Sequence, residues 1–194
     1  MLPKAYGEHE MSPRPSSRNI ILSAAEAVVI EHGASHMTLD AVAAQAKVSK
    51  GGLLYHFPSQ HHLLMAMLKR FMDQIEILVE QTRASLPARP GQELKAHILA
   101  WFSLGQEHRH LASALLAAVT RDPGLLDIVR EKRRQKWSAL TAISPRPELT
   151  TIATLAVEGL WMSELMGTAA YTPREHARIR SALLRLVDEV YGET

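Results

Sequence analysis

Residues 38–57 read TLDAVAAQAKVSKGGLLYHF. The stretch parses as two short helices around a tight turn. Leu39, Val42, Ala43 and Ala46 recur at helical spacing, which predicts a first helix over about 39–46. Thr38 is a capping residue, and Asp40 puts a negative charge in the first turn, where the helix dipole favours it. The second helix opens at Ser49, another capping type, and must end before Pro58. Its starting surface is Ser49, Lys50, Gly51 and Gly52: small residues for close approach, one cation, and free backbone N–H groups. Each Gly costs a helix about 1 kcal/mol, so a purely structural helix has little use for two. The pattern fits a helix-turn-helix whose second helix reads a DNA major groove.

Composition sets the class. In 194 residues, 46% are apolar and only 5% aromatic. Ala and Leu dominate, which favours helix, and no β-branched stretch alternates with period two, so the expected fold is all-α. No apolar run is long enough to span a membrane. The N-terminus carries acids and prolines without an apolar core, so it does not read as a signal peptide. With no Cys, disulfide and thiolate chemistry are excluded, in keeping with a cytoplasmic protein. Net charge is only +2: residues 1–70 hold seven Lys/Arg against five Asp/Glu, and the remainder fifteen against fifteen. Recognition of double-stranded DNA must therefore rest on local cations and on two copies per site. No phosphate-binding loop, nucleophile elbow or dinucleotide fingerprint occurs, so neither an enzyme nor a cofactor is expected.

Residues 1–15, with Pro3, Pro13 and Pro15, read as a disordered arm in which Arg14 is a solvated side chain. Arg18 is better placed for phosphate or minor groove, at the start of a helix over about 17–32 that Gly33 ends. Ile21, Ala24, Ala25, Val28 and Val29 form its inner face, which closes a three-helix unit with the motif. After Ser59, a long helix runs over about 60–85. Further helices follow over about 92–106, 110–120, 125–142, 148–166 and 173–191, separated by Pro- and Gly-containing breaks. The total is about nine helices. The expected division is arm 1–15, helix-turn-helix 16–59, and ligand-binding and dimerisation 60–194.

The helix ending at Gly33, followed in order by Thr38, Asp40, Val42, Ala43, Val48, Ser49, Lys50, Gly51, Leu53, His56, Phe57 and Leu63, resembles the tetracycline-repressor (TetR) family of bacterial transcriptional regulators. The likeness covers roughly residues 17–68. It implies DNA contacts from Thr38, Ser49, Lys50, Gly51 and Gly52, with Tyr55 and His56 near backbone phosphate. Three positions depart from the family pattern. Lys47 stands where the turn usually has Gly, which asks a non-Gly residue to go left-handed at a cost of about 1 kcal/mol. The family's recognition-helix Tyr falls at Leu54, beside Tyr55. Gln60, followed by His61 and His62, opens the long helix where Lys is common; as a DNA contact it can hydrogen-bond phosphate but gives no counterion release. Adjacent His residues point to different sides of a helix, so no metal site is expected there.

The second half carries no ligand signature of its own. Phe71, Met72 and Ile75 of the long helix, with Trp101, Phe102, Trp137, Trp161 and Leu165, are candidates to line a small-molecule cavity, since Met- and Trp-rich cores adapt to bulky guests. The resemblance supplies the expectation that such a cavity exists. It also implies that the last two helices form a four-helix dimer interface. Leu155, Ala156 and Gly159 mark one face, and Ile179, Leu183, Leu186, Val187 and Val190 the other. Arg130, Lys132, Arg133, Arg134 and Lys136 form a basic cluster that reads as a solvated helix face, with an anionic ligand or flanking DNA as alternatives. The 107–110 stretch (Glu-His-Arg-His) reads as an interhelix turn.

These readings converge on a homodimeric, ligand-responsive regulator, a repressor of a palindromic operator released by a small apolar or amphipathic effector. Two alternatives stand beside it. One is a constitutive DNA-binding dimer with a filled core. The other is a helical small-molecule-binding protein that has lost specific DNA binding.

Overall fold

The computed structural model describes residues 16–33, 36–169 and 171–192. The expected arm and Arg14 lie outside them. Among the described residues there are nine α-helices and no strand: α1 (Ser17–His32), α2 (Leu39–Ala46), α3 (Lys50–His56), α4 (Gln60–Ser85), α5 (Gln92–Ser103), α6 (Gln106–Arg121), α7 (Leu126–Ala142), α8 (Pro147–Leu165) and α9 (Pro173–Tyr191). A short 3-10 turn, Pro123–Leu125, leads into α7. No helix among them is long and apolar enough to cross a membrane.

The helix starts follow side-chain chemistry. Thr38 accepts from the Ala41 N–H at 3.1 Å, Ser49 from Gly52 at 3.1 Å, and Ser59 from His62 at 3.3 Å. Each satisfies a backbone donor that has no partner within its helix. α9 opens with a full capping box between Thr172 and Glu175 and has Pro173 in its first turn. Lys47 ends α2 at φ 55° and ψ 40°, with its N–H bonded to the carbonyls of Ala43 and Ala44. The left-handed turn is therefore made without Gly.

Two boundaries differ from expectation. α5 stops at Ser103, not near 106, and α6 starts at Gln106, not near 110. The break is at Leu104 and Gly105. Leu104 leaves the helix to bury its side chain, and Gly105 precedes the first turn of α6. Glu107, His108, Arg109 and His110 are thus helical surface, not a turn. Polar residues on a helix's outer face resemble a loop until the neighbouring periodicity is extended through them.

One apolar core is continuous from α1, α2 and α3 through the first half of α4 into α6; it contains Ile21, Val42, Leu53, Phe57, Met67 and Leu115. A second core joins α5, α8 and α9 through Leu94, Ile98, Val157, Leu183 and Val187. α4 therefore runs without interruption from beside α3 to the wall of the C-terminal bundle.

Candidate nucleic-acid interface and ligand cavity

The α2–α3 motif stands on its buried side chains and leaves one face open. Val42, Leu53 and Phe57 are buried, with Leu39 half-buried. Thr38, Ser49, Lys50, Gly51, Gly52 and Tyr55 are all exposed. Tyr55 is the extreme, at 84% exposure for a large ring. It stacks edge-on with His56, centroids 5.1 Å apart. The hydroxyls of Thr38 and Ser49 act as acceptors in their caps, which leaves each hydroxyl hydrogen free for an outside oxygen. A Cβ built at Gly51 meets nothing within 4 Å, and one at Gly52 meets only Ser49 Oγ at 3.2 Å. Neither glycine has a positive φ. The fold itself does not require glycine at 51.

Three expected contact residues already have intramolecular partners. Lys50 Nζ is paired with Asp40, 2.9 Å from Oδ1. Arg18 lays its guanidinium over the Phe57 ring, 5.1 Å from the centroid. Gln60 donates through Nε2 to the Met37 carbonyl at 2.8 Å, tying the start of α4 to the segment before α2. Gln60 thus has a positioning job that an ammonium-for-phosphate reading of this position overlooks. His61 and His62 take separate partners, Asp122 and Ser59.

A cavity of about 710 Å³ opens among α4, α5, α6, α7 and α8. Phe71, Met72, Ile75, Trp101, Trp137, Trp161 and Leu165 line it. Phe102 does not. One helical position beyond Trp101, it faces the other side of α5, edge-on to His176 of α9 at 6.0 Å. His97 is the lining residue that composition alone did not single out. It sits one turn before Trp101 on α5, is 5% exposed, and neither ring nitrogen has a protein partner. Burial first, and the nearby Lys136 second, push its pKa down to about 4, so the ring is neutral near pH 7. Trp101 Nε1 is likewise buried without a partner. The signal in the sequence was a His spaced four from a Trp on an apolar helix face.

The basic cluster of α7 lies along the cavity, with Arg130, Arg133 and Arg134 exposed and Lys132 and Lys136 half-buried. Lys132 bonds Asp73 and Glu76 of α4, each at 3.0 Å, and these bonds raise its pKa. Arg133 pairs with Glu158 of α8 at 2.5 Å. Burial raises the Glu158 pKa, and Arg133 opposes that shift. Arg130 pairs with Asp127 at 2.7 Å, and Arg134 with Glu131. Three of the five cations are exposed, as a solvated helix face expects, while Lys132 and Arg133 also pin α7 to α4 and α8.

The expected dimer residues divide. On α8, Leu155 (51% exposed), Ala156 and Gly159 are open and lie on one apolar stripe with Ile152 and Met166. On α9, Leu183, Val187 and Val190 are buried within the subunit, and Ile179 and Leu186 pack half-buried against the same core. The buried part of the α9 stripe thus covers α5 and α8, while Ile179 and Leu186 stay partly open. Its outward side carries Arg178, Ser181, Ala182, Arg185 and Glu189.

An exposed recognition helix joined by one long helix to a bundle with a cavity defines a helix-turn-helix protein with a ligand-binding domain. The family model described as bacterial regulatory proteins, tetR family, matches residues 21–67. The tetracyclin repressor-like C-terminal domain model matches residues 91–188, just over half of the chain. The chain belongs to the tetracycline-repressor family of transcriptional regulators. It is similar to the HTH-type transcriptional regulator EthR of Mycobacterium tuberculosis, 25% identical over 96% of this chain and 93% of that protein. A crystal structure of a transcriptional regulator from Rhodococcus sp. Rha1 shares the fold, with a TM-score of 0.72, 20% identity, and coverage of 92% of this chain and 99% of that one. The multidrug binding protein EbrR complexed with ethidium is 25% identical, with a TM-score of 0.67 over 88% of this chain and 98% of that one.

Proposed function

We propose that this regulator is a cytoplasmic homodimeric repressor. Each subunit offers α3 to a major groove of a roughly palindromic operator, and a small apolar or amphipathic effector in the cavity releases it. Residues 16–59 act as the DNA-reading unit and 60–194 as the ligand and dimer unit. The observation that carries the DNA reading is the exposed surface of Thr38, Ser49, Lys50, Gly51, Gly52 and Tyr55, with a glycine at 51 that the fold does not need. His56 and Arg18 flank it. A twofold dimer matches a palindrome with recognition helices about 34–36 Å apart. The open α8 stripe at Leu155, Ala156 and Gly159 is the natural seat for the second copy.

The cavity favours an inducible regulator over a constitutive DNA binder, because a filled core would have served dimerisation alone. EbrR, a relative of similar fold, was crystallised with ethidium, which supports the same use of the bundle here. The effector need only bind the arrangement of α4 that mis-spaces the two motifs more tightly than the DNA-competent one. The test is fluorescence anisotropy on DNA from upstream of the protein's own gene, with and without a compound that occupies the cavity. Specific binding that weakens with the compound supports the proposal. Unchanged affinity removes the induction model for that compound, and no specific binding at low salt removes the repressor.

A further inference from the structure

We propose that the cavity selects an amphiphile with an anionic oxygen head group, a carboxylate, held between His97, Trp101 and Lys136, with its apolar tail directed toward α6. This rests on reading the cavity as the effector site.

The cavity is polarised along its length. α7 runs alongside α4 in the same direction: Asp122 meets His61, Lys132 meets Asp73 and Glu76, and Lys136 acts on Glu80. α8 runs back, with the Trp137 indole donating to Thr151 at 3.0 Å and Arg133 pairing with Glu158. His97, Lys136, Thr151 and Thr154 therefore lie toward the end remote from α3. Leu68, Ala112, Leu115, Val119 and Leu126 line the end nearer to it. The wall from Leu68 to Val79 of α4 spans about 16 Å of helix rise, room for an extended twelve-carbon chain.

The charges at the polar end are not balanced. The two carboxylates that line the cavity, Glu76 and Glu158, are already held by Lys132 and Arg133. Arg130 and Arg134 have partners on α7 itself. Lys136 makes no ion pair among the described residues; the carboxylate it acts on, Glu80, is fully engaged by Arg83. His97 stands near it, and Trp101 one turn further along α5; the ring nitrogens of both are buried without a hydrogen-bond partner among the described residues. The indole N–H of Trp101 is only a donor, and a neutral His97 presents one N–H. A neutral His97 also keeps one acceptor nitrogen, but the lining as a whole is basic: Arg130, Lys132, Arg133, Arg134 and Lys136 stand against Glu76 and Glu158. An oxygen anion accepts from the N–H groups of His97 and Trp101 and pairs with Lys136, whereas a cation is repelled by Lys136 and leaves the Trp101 N–H unpaired.

All three tryptophans of the chain line the cavity, so intrinsic fluorescence reports its occupancy. The experiment titrates the full-length protein with dodecanoate, dodecan-1-ol and dodecyltrimethylammonium, each kept below its micelle threshold. The expected result is an affinity order of carboxylate, alcohol, cation, with dodecanoate at least about tenfold tighter than the alcohol. Lys136→Gln, at a half-exposed position, and His97→Leu, of similar volume, should each collapse the carboxylate-to-alcohol ratio toward one. Equal affinities in the native protein, or tighter binding of the cation, overturn the head-group assignment while leaving the cavity as a ligand site. No fluorescence change with any of the three overturns both the assignment and the cavity's role for chain-like ligands. An unchanged ratio in both variants assigns the selectivity elsewhere and overturns the proposal.

Discussion

His61, in the first turn of α4, is bonded through Nδ1 to the carboxylate of Asp122, which ends α6 and opens the turn into α7. The residues are 61 positions apart in sequence. The contact ties the helix that follows α3 to the base of the charged cavity wall. A contact of this kind between the DNA-reading unit and the cavity wall gives the two a shared element through which binding at one can bias the other. Asp122→Ala should leave operator affinity within about threefold and weaken effector-driven release by about 1 kcal/mol of coupling, roughly fivefold. Operator Kd measured with and without saturating effector, in both proteins, checks this.

Gly51 has open space where a Cβ would stand and needs no special backbone angle. Gly51→Ala should therefore raise stability by about 0.5–1 kcal/mol through helix propensity. On DNA the same methyl group intrudes where the backbone approaches bases, so operator affinity should fall by about tenfold or more. Urea unfolding and operator titration of one variant read the two effects separately. A gain in both would deny Gly51 a DNA role.

Lys50 and Asp40 are paired in the free protein, at exposed positions. DNA must compete with that bond, and the Asp40 carboxylate repels phosphate. Asp40→Asn should raise operator affinity about threefold at low salt. Its stability cost should be below about 1 kcal/mol, since an exposed pair and a first-turn acid contribute little. Anisotropy titrations at two salt concentrations check the direction.

His97 makes stability depend on pH. Its folded pKa of about 4 lies below the ordinary histidine value of 6.5. Between these values the unfolded chain binds more protons, so stability is intact above about pH 6.5, falls as pH drops toward 4, and levels off below. Between pH 7 and pH 4.5 the loss from this group is about 2–3 kcal/mol. Lys136 of α7 opposes protonation of the ring, while Glu158 of α8 and Glu76 of α4 line the same cavity with their own partners. Glu158 and Glu26, whose pKa values burial raises, favour the folded state as pH falls. Comparing urea midpoints of the native protein and His97→Leu at both pH values isolates the imidazole. Parallel losses in the two would contradict its assignment.

The motif was legible because local chemistry determines it. Thr38, Ser49 and Ser59 cap the helices their positions predict, and Lys47 adopts the left-handed turn that the family's Gly would have made. Seven cavity residues were legible because large Trp, Phe and Met side chains on helix faces seek an interior. What sequence could not settle was which interior. Phe102 and Trp101 are neighbours on α5 that face different elements, and the α9 stripe fits a partner or the subunit's own core equally well in pattern. His97 and Lys136 carry meaning only through what surrounds them: among the described residues one lacks a hydrogen-bond partner and the other an ion-pair partner, and both are tertiary facts.

Repression by this protein depends on α3 reading DNA. A nuclease footprint of the native protein on DNA upstream of its own gene, at low salt, tests this most directly. It should protect two symmetry-related half-sites centred about one helical turn apart, with protection lost in Gly51→Ala at the same concentration. Protection without half-site structure, or a footprint identical in the variant, would contradict it.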